Sequence, residues 1–127
     1  MPYLLDTHTF IWFINGDQSL SDTVVEIIKD TKNQCFISIA SIWEIAIKVK
    51  LNKLEISCDF DRILNFIEEN QIEVLPISFN HLLRLNHLEF HHRDPFDRLL
   101  LAQSFTEKLT ILSKDRNFSL YNANVVW

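Results

Sequence analysis

The segment His91-His92-Arg93-Asp94-Pro95-Phe96-Asp97-Arg98-Leu99-Leu100-Leu101-Ala102-Gln103 carries a helix start, a second aspartate and an apolar helix in close succession. Asp94 is a favoured N-cap residue, and Pro95 suits the first helical position, where an N–H has no partner to lose. Asp97 then falls at the third helical position. Beyond Phe96, the residues Leu99, Leu100, Leu101, Ala102 and Phe105 surround the helix axis and form no single stripe, which predicts a helix buried on most sides. An ionised Asp97 in its first turn has two explanations. One is capping and the helix dipole, worth up to about 1 kcal/mol. The other is a bound metal ion, and the flanking sequence decides between them.

Outward from this segment, strands alternate with helices. Residues 3–5 form an apolar run ending at Asp6, followed by a helical stretch over 10–14 that Asn15-Gly16 closes. Ser19 or Ser21 caps a helix reaching about Lys32, with Val24, Val25, Ile27 and Ile28 facing inward. Residues 35–39 are a second strand. Ser41 opens a helix whose Ile42, Ile45, Ala46 and Val49 repeat at helical spacing, with Glu44 on its other face and Lys48, Lys50 and Lys53 close behind. Asp59 caps a helix through Asn70, with Phe60, Ile63, Leu64 and Ile67 apolar. Residues 73–76 are a third strand stopped by Pro76, and Ser78 begins a helix carrying Phe79, Leu82, Leu83 and Leu85. Residues 109–112 form a fourth strand, Ser113-Lys114-Asp115 its corner, and residues 124–127 a fifth. This order predicts a single α/β domain over residues 1–127, with a parallel sheet and helices on both faces.

Composition narrows the function. A 127-residue chain with 47% hydrophobic residues supports one sizeable core. A net charge of −5 excludes nucleic-acid binding through a broad basic surface, so any such contact is local. The only glycine is Gly16, which removes glycine-rich phosphate loops from consideration. Cys35 and Cys58 are unclustered in a chain without a secretory leader, which predicts reduced thiols in the cytoplasm. No apolar run approaches the roughly 20 residues of a membrane span.

In a sheet of this kind, sites form beyond the carboxyl ends of the strands. Four acids are expected there: Asp6 after the first strand, Glu44 in the helix after the second, Asp97 at the start of the helix before the fourth, and Asp115 after the fourth. Taken singly, each has an ordinary role. Asp6 caps the next helix, Glu44 pairs with Lys48 four residues on, and Asp115 belongs to a charged turn. Taken together at one edge, they repel one another unless a cation neutralises them, and Mg²⁺ or Mn²⁺ prefers oxygen ligands. His8, His81, His87, His91 and His92 show no zinc-ligand spacing and read as polar surface or core-edge residues. Trp12, Trp43 and Trp127 read as packing residues, although an exposed one can stack on a nucleotide. Arg93, Arg98, Lys114 and Arg116 balance the acids or steer a phosphate backbone.

Four motifs, Leu-Leu-Asp6-Thr-His-Thr-Phe-Ile-Trp, Ser41-Ile-Trp-Glu44-Ile-Ala-Ile-Lys, His-His-Arg-Asp94-Pro-Phe-Asp97-Arg-Leu-Leu-Leu-Ala-Gln and Leu-Ser-Lys-Asp115-Arg-Asn-Phe, resemble in order those of PIN-domain ribonucleases. The nearest resemblance is to VapC-like toxins of type II toxin–antitoxin systems. It implies a Rossmann-like three-layer α/β/α sandwich with five parallel strands in order 3-2-1-4-5. It further implies a Mg²⁺- or Mn²⁺-dependent endoribonuclease that leaves 5′-phosphate and 3′-hydroxyl ends, a homodimer, and a VapB-like antitoxin whose C-terminal segment occludes the groove. The family's acidic quartet falls on Asp6, Glu44, Asp97 and Asp115 as catalytic metal ligands. Asp94 and Ser113 then stand behind the ligands, and Lys48, Arg93, Arg98 and Arg116 become candidates for RNA contact. Two other readings compete with this one. A phosphorylation-controlled receiver domain needs an acceptor aspartate ending the third strand, where Leu75-Pro76 stands. A catalytically silent PIN domain acting as a binding module would not need the intact quartet.

Overall fold

The computed structural model describes residues 2–90 and 94–127. Five parallel strands, β1 (Pro2–Leu5), β2 (Gln34–Ser38), β3 (Ile72–Leu75), β4 (Thr110–Leu112) and β5 (Val125–Val126), form one sheet in the order β3-β2-β1-β4-β5. The predicted topology is therefore the one observed. Side chains alternate across the sheet, as a two-residue period requires. Leu5, Ile37 and Leu112 enter a core with Phe10, Val24, Ile28, Ile63 and Ile67 from helices α1 (Thr7–Asn15), α2 (Asp22–Lys29) and α4 (Ile63–Glu69). Leu4 and Ile111 face the other way, towards Leu100 and Leu101 of α6 (Pro95–Glu107). Helix α5 (Phe79–His87) packs on α6, and α3 (Ile39–Lys50) touches both α1 and α6.

Helix α6 has the burial expected of an apolar girdle, since six consecutive residues from Leu99 to Ser104 are all buried. Asp94 caps it by accepting from the Phe96 N–H at 2.9 Å. Helix α1 ends at Gly16, whose φ of 61° is the left-handed conformation that glycine adopts without a Cβ penalty. Several boundaries shift by one to three residues from the sequence reading, the second helix ending at Lys29 and the fifth strand covering only Val125–Val126, and two shifts change how an element begins. Ser38, not Ser41, caps α3, its Oγ accepting from Ala40 N–H at 3.1 Å, so Ile39 leaves the strand and begins the helix. The helix expected from Asp59 to Asn70 starts as a single 3-10 turn, Phe60–Arg62, before α4 begins.

His81 is also corrected, because it is buried at 1% exposure and is not a surface or core-edge residue. Its Nδ1 accepts from the Ser78 N–H at 3.0 Å and Ser78 Oγ accepts from the His81 N–H, forming a capping box. With Nδ1 accepting, the ring proton sits on Nε2, 2.8 Å from Glu107 Oε2.

Both cysteines are free thiols. Cys35 in β2 is buried, and burial pushes its thiol pKa up to about 11. Cys58 is half-buried. Since the thiolate is the reactive species, one thiol per chain should react with a chromogenic disulfide at pH 8 under native conditions, and the second only on denaturation. Two thiols reacting at the same rate in native buffer would contradict a buried Cys35.

Candidate active site

Strand register builds the site. Leu5 pairs with Ile37 on one side and Leu112 on the other, so Asp6, Ser38 and Ser113 follow at one level beyond three adjacent strands. Leu112 pairs in turn with Val126, which places Trp127 in the same row. A connection that leaves the sheet here enters a helix or turn, and its first polar side chain lands at the carboxyl edge.

Asp6 is buried at 5% exposure. It is the N-cap of α1, with Oδ1 accepting from the Thr9 N–H at 2.8 Å, and its Oδ2 accepts from the Ser113 hydroxyl. Both donors are neutral. Desolvation raises its pKa above the ordinary carboxylate value, against the lowering effect of the Ser113 and Thr9 hydrogen bonds and of nearby His8. Ser113 also accepts from the Asp115 N–H at 2.9 Å, so a single hydroxyl joins Asp6 to Asp115. Asp115 in turn caps the 3-10 turn Arg116–Tyr121, its Oδ1 accepting from the Asn117 N–H. Thr9 Oγ1 donates to the Leu112 carbonyl at 2.8 Å, which pins the start of α1 to the end of β4.

Glu44 does not occupy a solvated face of α3; it is buried at 5% exposure. The face is buried because α3 lies between α1 and α6. Its Oε1 accepts from Thr7 Oγ1 at 2.9 Å, and Thr7 Oγ1 is also 3.0 Å from Ser41 Oγ. Its Oε2 pairs with Lys48 Nζ at 2.8 Å, so the expected i,i+4 ion pair is present on a carboxylate that is nonetheless interior. Asp97 is half-buried in the first turn of α6. Its neighbour Phe96 packs edge-on against Trp43, beside Glu44, with ring centroids 5.3 Å apart.

Two separate hydroxyl links result: Ser113 joins the Asp6 carboxylate to the Asp115 backbone N–H, and Thr7, the residue after Asp6, donates to Glu44. Asp97 lies on α6, which packs against α3. Among the described residues, no three His, Cys, Asp or Glu side chains come close enough together to hold a metal ion. The donor chemistry nevertheless fits a hard divalent cation. All candidate donors are oxygens, and the buried Asp6 carboxylate accepts from neutral donors, Thr9 N–H and the Ser113 hydroxyl.

The basic candidates divide. Lys48 is committed to Glu44. Arg98 donates to the Glu89 carbonyl at 2.9 Å and the Tyr121 hydroxyl at 3.3 Å, and its guanidinium lies 4.7 Å from the Phe90 ring centroid. Arg116 is exposed at the start of its turn, and Arg93 lies outside the described residues. A cleft of about 330 Å³ beside Asp6 is lined by Asp6, His8, Trp12, Lys114 and Asp115. Sequence reading missed Thr7 and Thr9, whose signal is their position in the first turn after an acidic N-cap.

A family model described as the PIN domain matches residues 3–124. A search of curated proteins finds no match to the sequence. Among solved structures, the fold is similar to VapBC2 from Rickettsia felis bound to a DNA fragment from their promoter, with a TM-score of 0.75, 18% identity, and 100% of this chain and 99% of that one covered. It is also similar to FitAcB from Neisseria gonorrhoeae, with a TM-score of 0.67, 17% identity, and 100% and 97% covered. A toxin–antitoxin complex from Klebsiella pneumoniae gives a TM-score of 0.68, 17% identity, and 98% and 96% covered. At such identities the likeness is one of fold.

Proposed function

Because this chain belongs to the PIN domain family, whose members are in general nucleases, we propose that it is a Mg²⁺- or Mn²⁺-dependent endoribonuclease and the toxin of a type II toxin–antitoxin pair. The observation that carries this reading is the buried, neutral-donor carboxylate of Asp6 at the sheet edge, joined through the Ser113 hydroxyl to the backbone of Asp115. Asp6 and Asp97 would hold the principal ion, and Glu44 and Asp115 would complete its ligands or hold a second. When bound, the ion supplies Lewis-acid polarisation of the phosphodiester and a water of lowered pKa.

The chain's own groups do the positioning. Ser113 keeps its proton on Oγ, directed at Asp6 Oδ2, and so aims the other lone pairs of that carboxylate. Thr7 donates to Glu44 Oε1 and sets the rotation of that carboxylate, while Lys48 balances its charge. Asp94 acts behind Asp97 by fixing the helix start. Exposed Arg116 is free in position to meet a backbone phosphate, and Lys48 and Arg93 belong to the same proposed RNA-contacting set. Arg98 belongs to it only if RNA draws it from Phe90 and Tyr121.

A protein partner is supported by apolar residues left in solvent. Ile39, Trp43, Ile47 and Leu51 recur every fourth residue along α3 and its C-cap, and Trp43 is 60% exposed. Such a stripe suits a VapB-like antitoxin segment lying beside Glu44, and the exposed Phe79, Leu82 and Leu83 of α5 suit a homodimer contact. No helix among the described residues is long and apolar enough to cross a membrane, and a cytoplasmic setting is part of this reading.

The test is cleavage of single-stranded RNA by clean protein. Activity should vanish in EDTA and return with Mg²⁺ or Mn²⁺, with 5′-phosphate ends. Failure to bind Mn²⁺ by calorimetry would sink the metal assignment and favour the silent binding module.

A further inference from the structure

The cleft beside Asp6 is lined by two unlike sets of side chains. The acids Asp6 and Asp115 line it together with the aromatic residues His8 and Trp12 and with Lys114. Metal ligation has no use for an indole, so the aromatic lining calls for a separate account.

Trp12 is packed on more than one side. It packs against the core beneath α1 and meets Trp127 edge-on, with ring centroids 5.7 Å apart. Trp127 is itself fixed in the strand-end row that contains Asp6 and Ser113. His8 is exposed and tilted 46° to the indole, with centroids 6.0 Å apart. Trp12 keeps part of its surface in solvent while the rest packs on the core, and a side chain partly ordered by packing loses less freedom on binding a ligand. A flat, uncharged ring is the ligand such a surface recognises. A phosphate alone would be repelled by the adjoining carboxylates, whereas a base bound here can leave its attached phosphate beside exposed Lys114.

We propose that Trp12, flanked by His8, is a stacking platform for a nucleobase of single-stranded RNA, and that Lys114 contacts the backbone phosphate attached to it. This rests on the nuclease reading for the identity of the polymer. It adds a base-dependent contact that is not itself catalytic. Base–aromatic stacking tolerates any sequence and contributes about 5- to 150-fold in affinity per base.

The experiment uses full-length protein carrying Asp6→Asn, so that RNA stays intact. It compares an octaadenylate RNA with inorganic polyphosphate of matched charge. Octaadenylate should quench tryptophan fluorescence and polyphosphate should not. Trp12→Leu should weaken octaadenylate roughly 5-fold or more and leave polyphosphate unchanged, and Trp12→Phe should restore most of the loss. Should Trp12→Leu lose its cooperative melt, exposed His8→Ala carries the comparison, with a smaller selective loss for octaadenylate expected. Equal changes for the two polyanions, or none for either, overturn the platform. Cleavage in Mg²⁺ by the unmodified protein is scored separately. Base-selective binding without cleavage rejects the nuclease and keeps the platform, and cleavage without base-selective binding does the reverse.

Discussion

Asp6→Asn is expected to abolish RNA cleavage while leaving the metal-free protein at least as stable as the wild type. The amide keeps an oxygen to accept from the Thr9 N–H and can donate to Ser113 Oγ in place of accepting from it, so both neighbours remain paired. What is lost is a negative charge. Residues that merely support a metal ligand typically cost 10- to 100-fold when removed, so loss of a principal ligand should cost at least about 100-fold.

The stability arm follows from the direction of the Asp6 shift. Its carboxyl holds its proton more tightly in the folded chain, because burial disfavours the ionised form. Ionisation therefore destabilises the fold progressively as pH rises from the ordinary carboxylate value through the folded one, and the penalty is fully present above it. In metal-free buffer at pH 7, Asp6→Asn should melt at or above the wild-type temperature. Near pH 3 the two should converge, since the wild-type carboxyl is then protonated. Mn²⁺ should raise the melting temperature of the wild type alone. Wild-type cleavage by the variant, or a much lower metal-free melting temperature at pH 7, would remove Asp6 from the site.

The second large effect is on folding. Phe118 is fully buried against Leu101 and Ile111, with Phe105, Tyr121 and Val125 around it. Phe118→Ala should cost about 3–5 kcal/mol, through lost transfer free energy and the cavity left behind. For a domain whose total stability is on the order of 5–15 kcal/mol, that lowers the melting temperature by roughly 10–20 °C. The cost is felt at the site as well, because Phe118 is the buried anchor of the turn that Asp115 caps. Urea melts provide the check, and a midpoint change worth less than about 1 kcal/mol would show that this core is not packed as described.

Much of this molecule was legible as local pattern. Strand and helix alternation led to the five-stranded parallel sheet, and the Asp94-Pro95 pair located the start of α6 because capping and proline geometry are decided within one turn. The all-round apolar sequence of Leu99 to Ala102 predicted a helix buried on most sides, which is what the sheet and α5 provide. Placement at strand ends likewise pointed to Asp6 and Asp115, since a residue that ends a parallel strand can only emerge at the carboxyl edge.

Other features depended on neighbours distant in sequence. The i,i+4 spacing of Glu44 and Lys48 is the same on a solvated helix and on one wedged between α1 and α6, so only packing shows that Glu44 is interior. His81 carries no local sign that Glu107 will meet it, and Trp12 none that Trp127 will fix it beside Asp6. The order of elements and the caps at Asp6 and Asp94 follow from local sequence, because backbone preference and side-chain period act over a few residues, whereas the end of β2 at Ser38 does not. Which carboxylates are desolvated, and which hydroxyls they accept from, is set by packing between distant segments, because burial and hydrogen bonding across the sheet edge depend on strand register between residues more than a hundred positions apart, as for Ser113 and Asp6.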